Sequence, residues 1–248
     1  MFLILGDPED VLASAVHRRL TAAGRRTAWL TETELAESTP FALRRHGGRV
    51  SGFLRCHGED VPFDDLAGVL VRLGRGWWPS RVEADDRLFV YHETLAALFA
   101  LLDSLRCPVV NRFGLPWWLR DDRYGERLAA GLRVALGAPV ARPVDGSGAA
   151  RWSAYLAGPR FAGFTDDGRG EPADDDAAER DGLAQWLRGS REALADWQHR
   201  QGISFCRVEL VSSDGMPAVT GLDAFPSLRD ESPERVDRLA AATVELLS

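Results

Sequence analysis

Residues 203–228, ISFCRVELVSSDGMPAVTGLDAFPSL, constrain the fold more than any other stretch of the chain. They read as two strands around a tight turn. In 205–212, Phe205, Arg207, Glu209 and Val211 alternate with Cys206, Val208 and Leu210, which is the two-residue period of a strand. Asp214-Gly215 is a two-residue hairpin signal. The return strand is 218–222, and Asp223-Ala224-Phe225-Pro226 follows it. Antiparallel pairing would bring Glu209 and Asp223 toward each other at the strand ends. Two carboxylates so placed are a candidate site for Mg²⁺, a hard cation that takes oxygen ligands. An amphipathic hairpin with two solvated acids accounts for the same residues.

The start of the chain predicts a parallel α/β unit. Residues 2–5 form a short apolar strand, with Asp7 as expected helix N-cap and Pro8 at the first helical position. Val11, Leu12, Ala15, Val16, Leu20 and Ala23 carry a helical stripe that Gly24 ends, and 27–30 is a second strand. The turn has no G-x-G-x-x-G fingerprint, so a nicotinamide site is not expected. Residues 41–45 and 50–55 read as a hairpin, and 68–73, GVLVRL, as a strand broken by Gly74-Arg75-Gly76. Arg72 and Arg75 then stand at the carboxyl end of a sheet strand, where open α/β sheets bind ligands. A guanidinium there can hold a carboxylate or phosphate in bidentate fashion, or simply form a surface ion pair.

A helix is expected over 85–106, a strand over 107–111 ending in Asn111, a helix over 123–136 and an extended segment over 140–144. A hairpin of 152–156 and 160–164 turns at Gly158-Pro159. The acidic run 168–182 reads as a solvated linker, with helices over 184–188 and 190–201 beyond it. Ser232-Pro233 opens a terminal helix.

Composition removes several function classes. A formal charge of −7 argues against a broad nucleic-acid or membrane-surface role. The apolar run at 1–5 is short and lacks a basic start, so no signal peptide is expected, and no run is long enough to span a bilayer. Cys56, Cys107 and Cys206 have no paired spacing and read as buried thiols of a cytoplasmic protein. The five histidines show no metal-ligand spacing. The sequence contains no lysine; every basic side chain is arginine. Schiff-base chemistry and a phosphate-gripping lysine are therefore outside its repertoire.

Several of these segments together resemble the ATP-grasp ligases that modify ribosomal peptides. RHGGRVSGFL, GVLVRLGR and CPVVNR are similar in order to the family's pre-ATP-grasp domain. RLAAGLRVALGAPVARPV is similar to the segment that follows it, with Arg123 where the family usually has a lysine. The terminal hairpin resembles the end of the ATP-grasp domain, where an acid sits in mid-strand and a Glu-x-Asn pair lies on the return strand. Glu209 matches the first acid and Asp223 the Asn, while the family's Glu falls on Gly221. Only DGSGAA, 145–150, stands where the family runs through a subdomain with a second nucleotide-binding lysine and a glycine-rich loop.

The resemblance implies an α/β fold. Residues 1–112 would form a pre-ATP-grasp-like domain with a parallel or mixed sheet and helices. Residues 113–248 would form a reduced ATP-grasp-like α+β domain with an antiparallel sheet, lacking most of the central nucleotide-binding subdomain. It also implies a degenerate, non-ligating accessory or partner-binding component of a peptide or small-molecule biosynthetic pathway, with no cofactor expected. Its partner would be a protein, a peptide or a second copy, met by Trp77, Trp78, Trp117 and Trp118 if these do not pack the hinge. The alternative implication is an active ATP- and Mg²⁺-dependent carboxylate–amine ligase. Arg72, Arg75, Arg123, Arg142 and Arg207 would then grip the nucleotide, and Glu209 and Asp223 the metal. No catalytic residue is assigned under either implication.

Overall fold

The structure, a computed structural model, describes residues 1–38, 41–47, 49–56, 58–73, 79, 81–112, 124–138, 151–164, 174–213 and 216–248. The opening unit forms as expected: β1 (Phe2–Gly6), α1 (Val11–Ala22) and β2 (Thr27–Leu30). Strand β6 (Gly68–Arg72) pairs with the other side of β1, and β7 (Val109–Val110) pairs beyond it. The parallel order is β2-β1-β6-β7. Every residue of β1 and β6 is buried, as a sheet covered on both faces requires. Phe2 and Ile4 face α1 and the terminal helix α7 (Pro233–Leu246), while Leu3 and Leu5 face the opposite core.

Helix α1 starts later than Asp7-Pro8 implied. Asp10 is its N-cap and accepts the Ala13 N–H at 2.8 Å, while Asp7 accepts the Glu9 N–H in the preceding turn. Helix α2 (Glu32–Ser38) was not expected. It opens on a reciprocal capping box: Glu34 N–H donates to Thr31 Oγ1, and Thr31 N–H donates to Glu34 Oε2 at 2.8 Å. The T-x-x-E spacing is the signal that announces it.

The expected hairpin is present as β3 (Phe41–His46) and β4 (Arg49–Cys56), and β5 (Glu59–Pro62) extends it to a three-stranded antiparallel sheet. Its inner face, Phe41, Leu54, Cys56 and Val61, joins the main core. Helix α3 (Arg87–Ser104) buries Tyr91, Leu95, Leu98, Leu101 and Leu102 there as well.

The second large sheet is antiparallel, in the order β11-β10-β8-β9. Its strands are β8 (Arg151–Ala157), β9 (Arg160–Phe164), β10 (Phe205–Ser213) and β11 (Met216–Asp223). One face carries Leu156, Cys206, Val208, Leu210 and Val219 into the main core under α4 (Tyr124–Leu136), α5 (Asp174–Gly189) and α6 (Arg191–Gln201). The acidic run is therefore not a linker along its whole length, because 174–189 is helical. Leu183, Ala184 and Leu187 anchor this helix in the core, and an acidic start is compatible with a helix, whose amino end carries partial positive charge. The other face carries Tyr155, Ala157 and Phe205 under α7.

The core does not stop at residue 112. Leu3, Leu5, Leu98, Leu210 and Trp197 belong to one continuous buried cluster. At the junction, Gly202 ends α6 with φ +67°, and a Cβ there would fall 2.0 Å from the Arg112 carbonyl oxygen. Glycine is required at that position on both counts.

Candidate functional site at the terminal hairpin

The register of β10 and β11 sets what the hairpin can hold. Arg207 stands opposite Asp223, and Glu209 stands opposite Gly221, with a bulge between Glu209 and Leu210. All four share the face that bears Phe205 and Tyr155. Glu209 and Asp223 are therefore diagonal neighbours rather than a facing pair. Asp223 accepts from Arg207 Nη2 at 3.4 Å and from the Phe225 N–H at 2.9 Å. Glu209 is exposed, and its carboxylate lies across the glycine: a Cβ on residue 221 would sit 2.5 Å from Glu209 Oε2. The Glu209 carboxylate has no ion-pair partner among the described residues, and the other candidate ligand, Asp223, already holds a guanidinium. Mg²⁺ at a phosphate site is held through one or two carboxylates together with the phosphate oxygens, so a metal here would rest on Glu209 and on Asp223 leaving Arg207. Among the described residues no cluster of three or more His, Cys, Asp or Glu has metal-binding geometry.

Beside Arg207 the same face carries a partly buried polar network. The Tyr155 hydroxyl donates to Glu231 Oε1 at 2.9 Å, and Arg235 Nη1 donates to Glu231 Oε2 at 2.9 Å. Burial pushes the Tyr155 hydroxyl well above the usual phenol range; the Glu231 carboxylate adds to this and Arg207 partly offsets it. Arg207 Nε is buried with no hydrogen-bond partner. Sequence reasoning missed Tyr155, Glu231 and Arg235, because strand pairing sets Tyr155 beside Arg207 and the docking of α7 brings Glu231 and Arg235 to Tyr155.

Arg72 is at the carboxyl end of β6, as expected, next to the point where strand order reverses between β1 and β6. There its guanidinium serves the protein itself. Nη2 donates to Asp10 Oδ2 at 2.7 Å and to the Pro226 carbonyl at 3.0 Å, and Cζ lies 5.8 Å from the Phe225 ring centroid. The Arg72 side chain is 3% exposed. One strand over, Asn111 takes a left-handed backbone conformation, φ +62°, which asparagine tolerates better than most residues. Its Oδ1 accepts the Ser204 and Phe205 N–H groups at 3.0 and 2.7 Å, and its Nδ2 donates to the Ala224 carbonyl. Arg72 and Asn111 thus fasten both ends of the hairpin to the carboxyl edge of the parallel sheet. Residues 224–226 therefore lie against the carboxyl ends of β6 and β7. Arg75, Arg123 and Arg142, the turn Asp214-Gly215 and the tryptophans 77, 78, 117 and 118 lie outside the described residues.

Cys206 lies fully buried behind the hairpin, and burial followed by the Asp223 charge pushes its thiol far up. Burial first, then the Glu34 charge, raises the Cys56 thiol from 9.0 to about 11. A raised folded-state value means that folding favours the neutral thiol. This contribution is complete below the unfolded-state value and is lost as pH climbs through the folded one. The urea midpoint is expected to fall between pH 9 and 11, and Cys56→Ala is expected to fall less over that interval. An unchanged midpoint over the same interval would contradict the assignment.

No family model and no curated protein sequence matches the chain. Solved structures do. The macrocyclase MdnC of Microcystis aeruginosa, bound with precursor peptide MdnA, aligns over 100% of this chain and 100% of its own, with a TM-score of 0.66 at 10% identity. A RiPP-associated ATP-grasp ligase of Chryseobacterium gregarium, in complex with ADP and a leader and core peptide, aligns over 99% of this chain and 96% of its own, with a TM-score of 0.62 at 12% identity. A RimK-domain ATP-grasp protein of Sphaerobacter thermophilus aligns over 100% and 99%, with a TM-score of 0.52 at 15% identity. The protein has the ATP-grasp ligase-like fold, as the sequence resemblance implied.

Proposed function

We propose that this is a degenerate ATP-grasp-like protein, a non-ligating accessory or partner-binding component of a peptide-modifying pathway in the cytoplasm. The observation that carries the reading is the pairing of Glu209 with Gly221. Carboxylate activation by ATP requires cations on the transferring phosphates and metal ions bridging their oxygens. This hairpin presents one unopposed carboxylate, and the sequence offers no lysine. The short segment 145–150, in place of a nucleotide-binding subdomain, points the same way. No helix among the described residues is long and apolar enough to cross a membrane.

A peptide is the partner that the neighbours favour, since MdnC and the Chryseobacterium ligase were solved with peptides. Self-association is the alternative to a peptide partner.

The second reading, an arginine-based ligase, draws on Arg207. Its Nε is buried without a partner, on the face that carries Glu209 and Asp223. Guanidinium groups bind phosphate well. Mass spectrometry of peptides that co-purify with the protein, after incubation with ATP and Mg²⁺, separates the readings. The proposal predicts unchanged peptide masses. Loss of water from a bound peptide, absent in Glu209→Ala, would overturn it.

A further inference from the structure

We propose that the solvent face of the β3-β4-β5 sheet is a docking surface for an extended acidic peptide. The inference deepens the partner-binding reading above by giving the partner its chemistry and its place.

The register separates the two faces of this small sheet. Phe41, Leu54, Cys56 and Val61 point into the core. Ala42, Arg44 and His46 alternate with them on β3, as do Ser51, Phe53 and Arg55 on β4 and Asp60 and Pro62 on β5. Arg44, His46, Ser51, Arg55, Asp60 and Pro62 are exposed. In the register Arg44 stands opposite Ser51, His46 opposite Arg49, and Ala42 opposite Phe53.

The charge on this face contrasts with that of the molecule. Its described exposed guanidinium groups are those of Arg44 and Arg55, in a chain of net charge −7. The acid of the face, Asp60, is held by Arg55, whose Nε donates to it at 2.7 Å. Arg44 has no ion-pair partner among the described residues. A guanidinium without a counter-charge among the described residues, in a chain of net negative charge, favours a carboxylate brought by another molecule.

Phe53 supplies the apolar part. It is a half-buried ring on the solvent face, with Arg55 Cζ 5.8 Å from its centroid. An aromatic ring among arginines is the composition from which interface anchors are drawn. The strand spacing suits an extended chain whose alternate side chains face the sheet, carboxylates toward Arg44 and an apolar side chain toward Phe53. A nucleic acid would meet the same guanidinium groups, but its dense charge would also meet the field of an acidic protein.

The test is fluorescence anisotropy with a labelled synthetic peptide that alternates glutamate and leucine. Its glutamine–leucine counterpart and a labelled single-stranded oligonucleotide serve as controls, with no nucleotide cofactor present. The glutamate peptide is expected to bind and to weaken as salt rises. Arg44→Glu is expected to weaken it by about tenfold or more, and Phe53→Ser also to weaken it, with circular dichroism and melting of both variants unchanged. Equal binding of the glutamine peptide, equal binding by Arg44→Glu, or tighter binding of the oligonucleotide would each overturn the proposal. Because the assay omits ATP, such a failure leaves the non-ligating reading standing, and a ligation result would leave this surface untouched.

Discussion

Arg72→Ala lowers the free energy of unfolding by about 3–5 kcal/mol, as expected when one partner of a buried ion pair is removed. The substitution strands the Asp10 carboxylate, removes the donor to the Pro226 carbonyl and takes the cation off the Phe225 ring. Asp10 also caps α1, so the loss spreads into the first helix. The pair Arg72→Met with Asp10→Ser keeps a helix cap and removes both charges. It should recover most of the loss, because apolar replacement of a buried pair is close to neutral. Urea denaturation of the two variants checks both statements. A cost of under about 1 kcal/mol for Arg72→Ala would mean that the pair behaves like a surface ion pair.

Asn111→Ala is the second large effect. Three hydrogen bonds end on this side chain, and the Phe205 N–H and the Ala224 carbonyl are left without partners when it goes. Each buried orphan costs about 1–3 kcal/mol, so the expected loss is about 2–6 kcal/mol. Part of it is backbone strain at φ +62°, which Asn111→Gly relieves without restoring any hydrogen bond. Asn111→Gly is therefore expected to fall between wild type and Asn111→Ala. Hydrogen exchange at Phe205 should accelerate in both variants. Protection unchanged at that amide would contradict the assignment of Asn111 as the fastener of β10.

The strands and long helices were legible in the sequence because their signals are local. Alternation in 205–212, the run GVLVRL and the stripe from Val11 to Leu20 each sit within one element. The elements that escaped were short or masked by composition. Helix α2 has seven residues, and its capping box at Thr31 and Glu34 was its only clear sign. Helix α5 begins in an acidic run that solvation alone also explains. At the site, the types of Glu209, Asp223 and Arg72 were readable, but their partners were not. Register decides that Asp223 faces Arg207 and Glu209 faces glycine, and a one-residue difference reverses such a statement. Asp10, 62 residues from Arg72, has no sequence signal that marks it as an ion-pair partner.

The account rests on a ligase-like framework in which Arg72 and Asn111 hold residues 224–226 at the sheet edge and whose hairpin offers one acid without an ion-pair partner among the described residues. Isothermal titration calorimetry of ATP with Mg²⁺ into the purified protein tests this most directly. The account predicts no saturable heat at micromolar nucleotide. Micromolar binding that disappears in Glu209→Ala would contradict it.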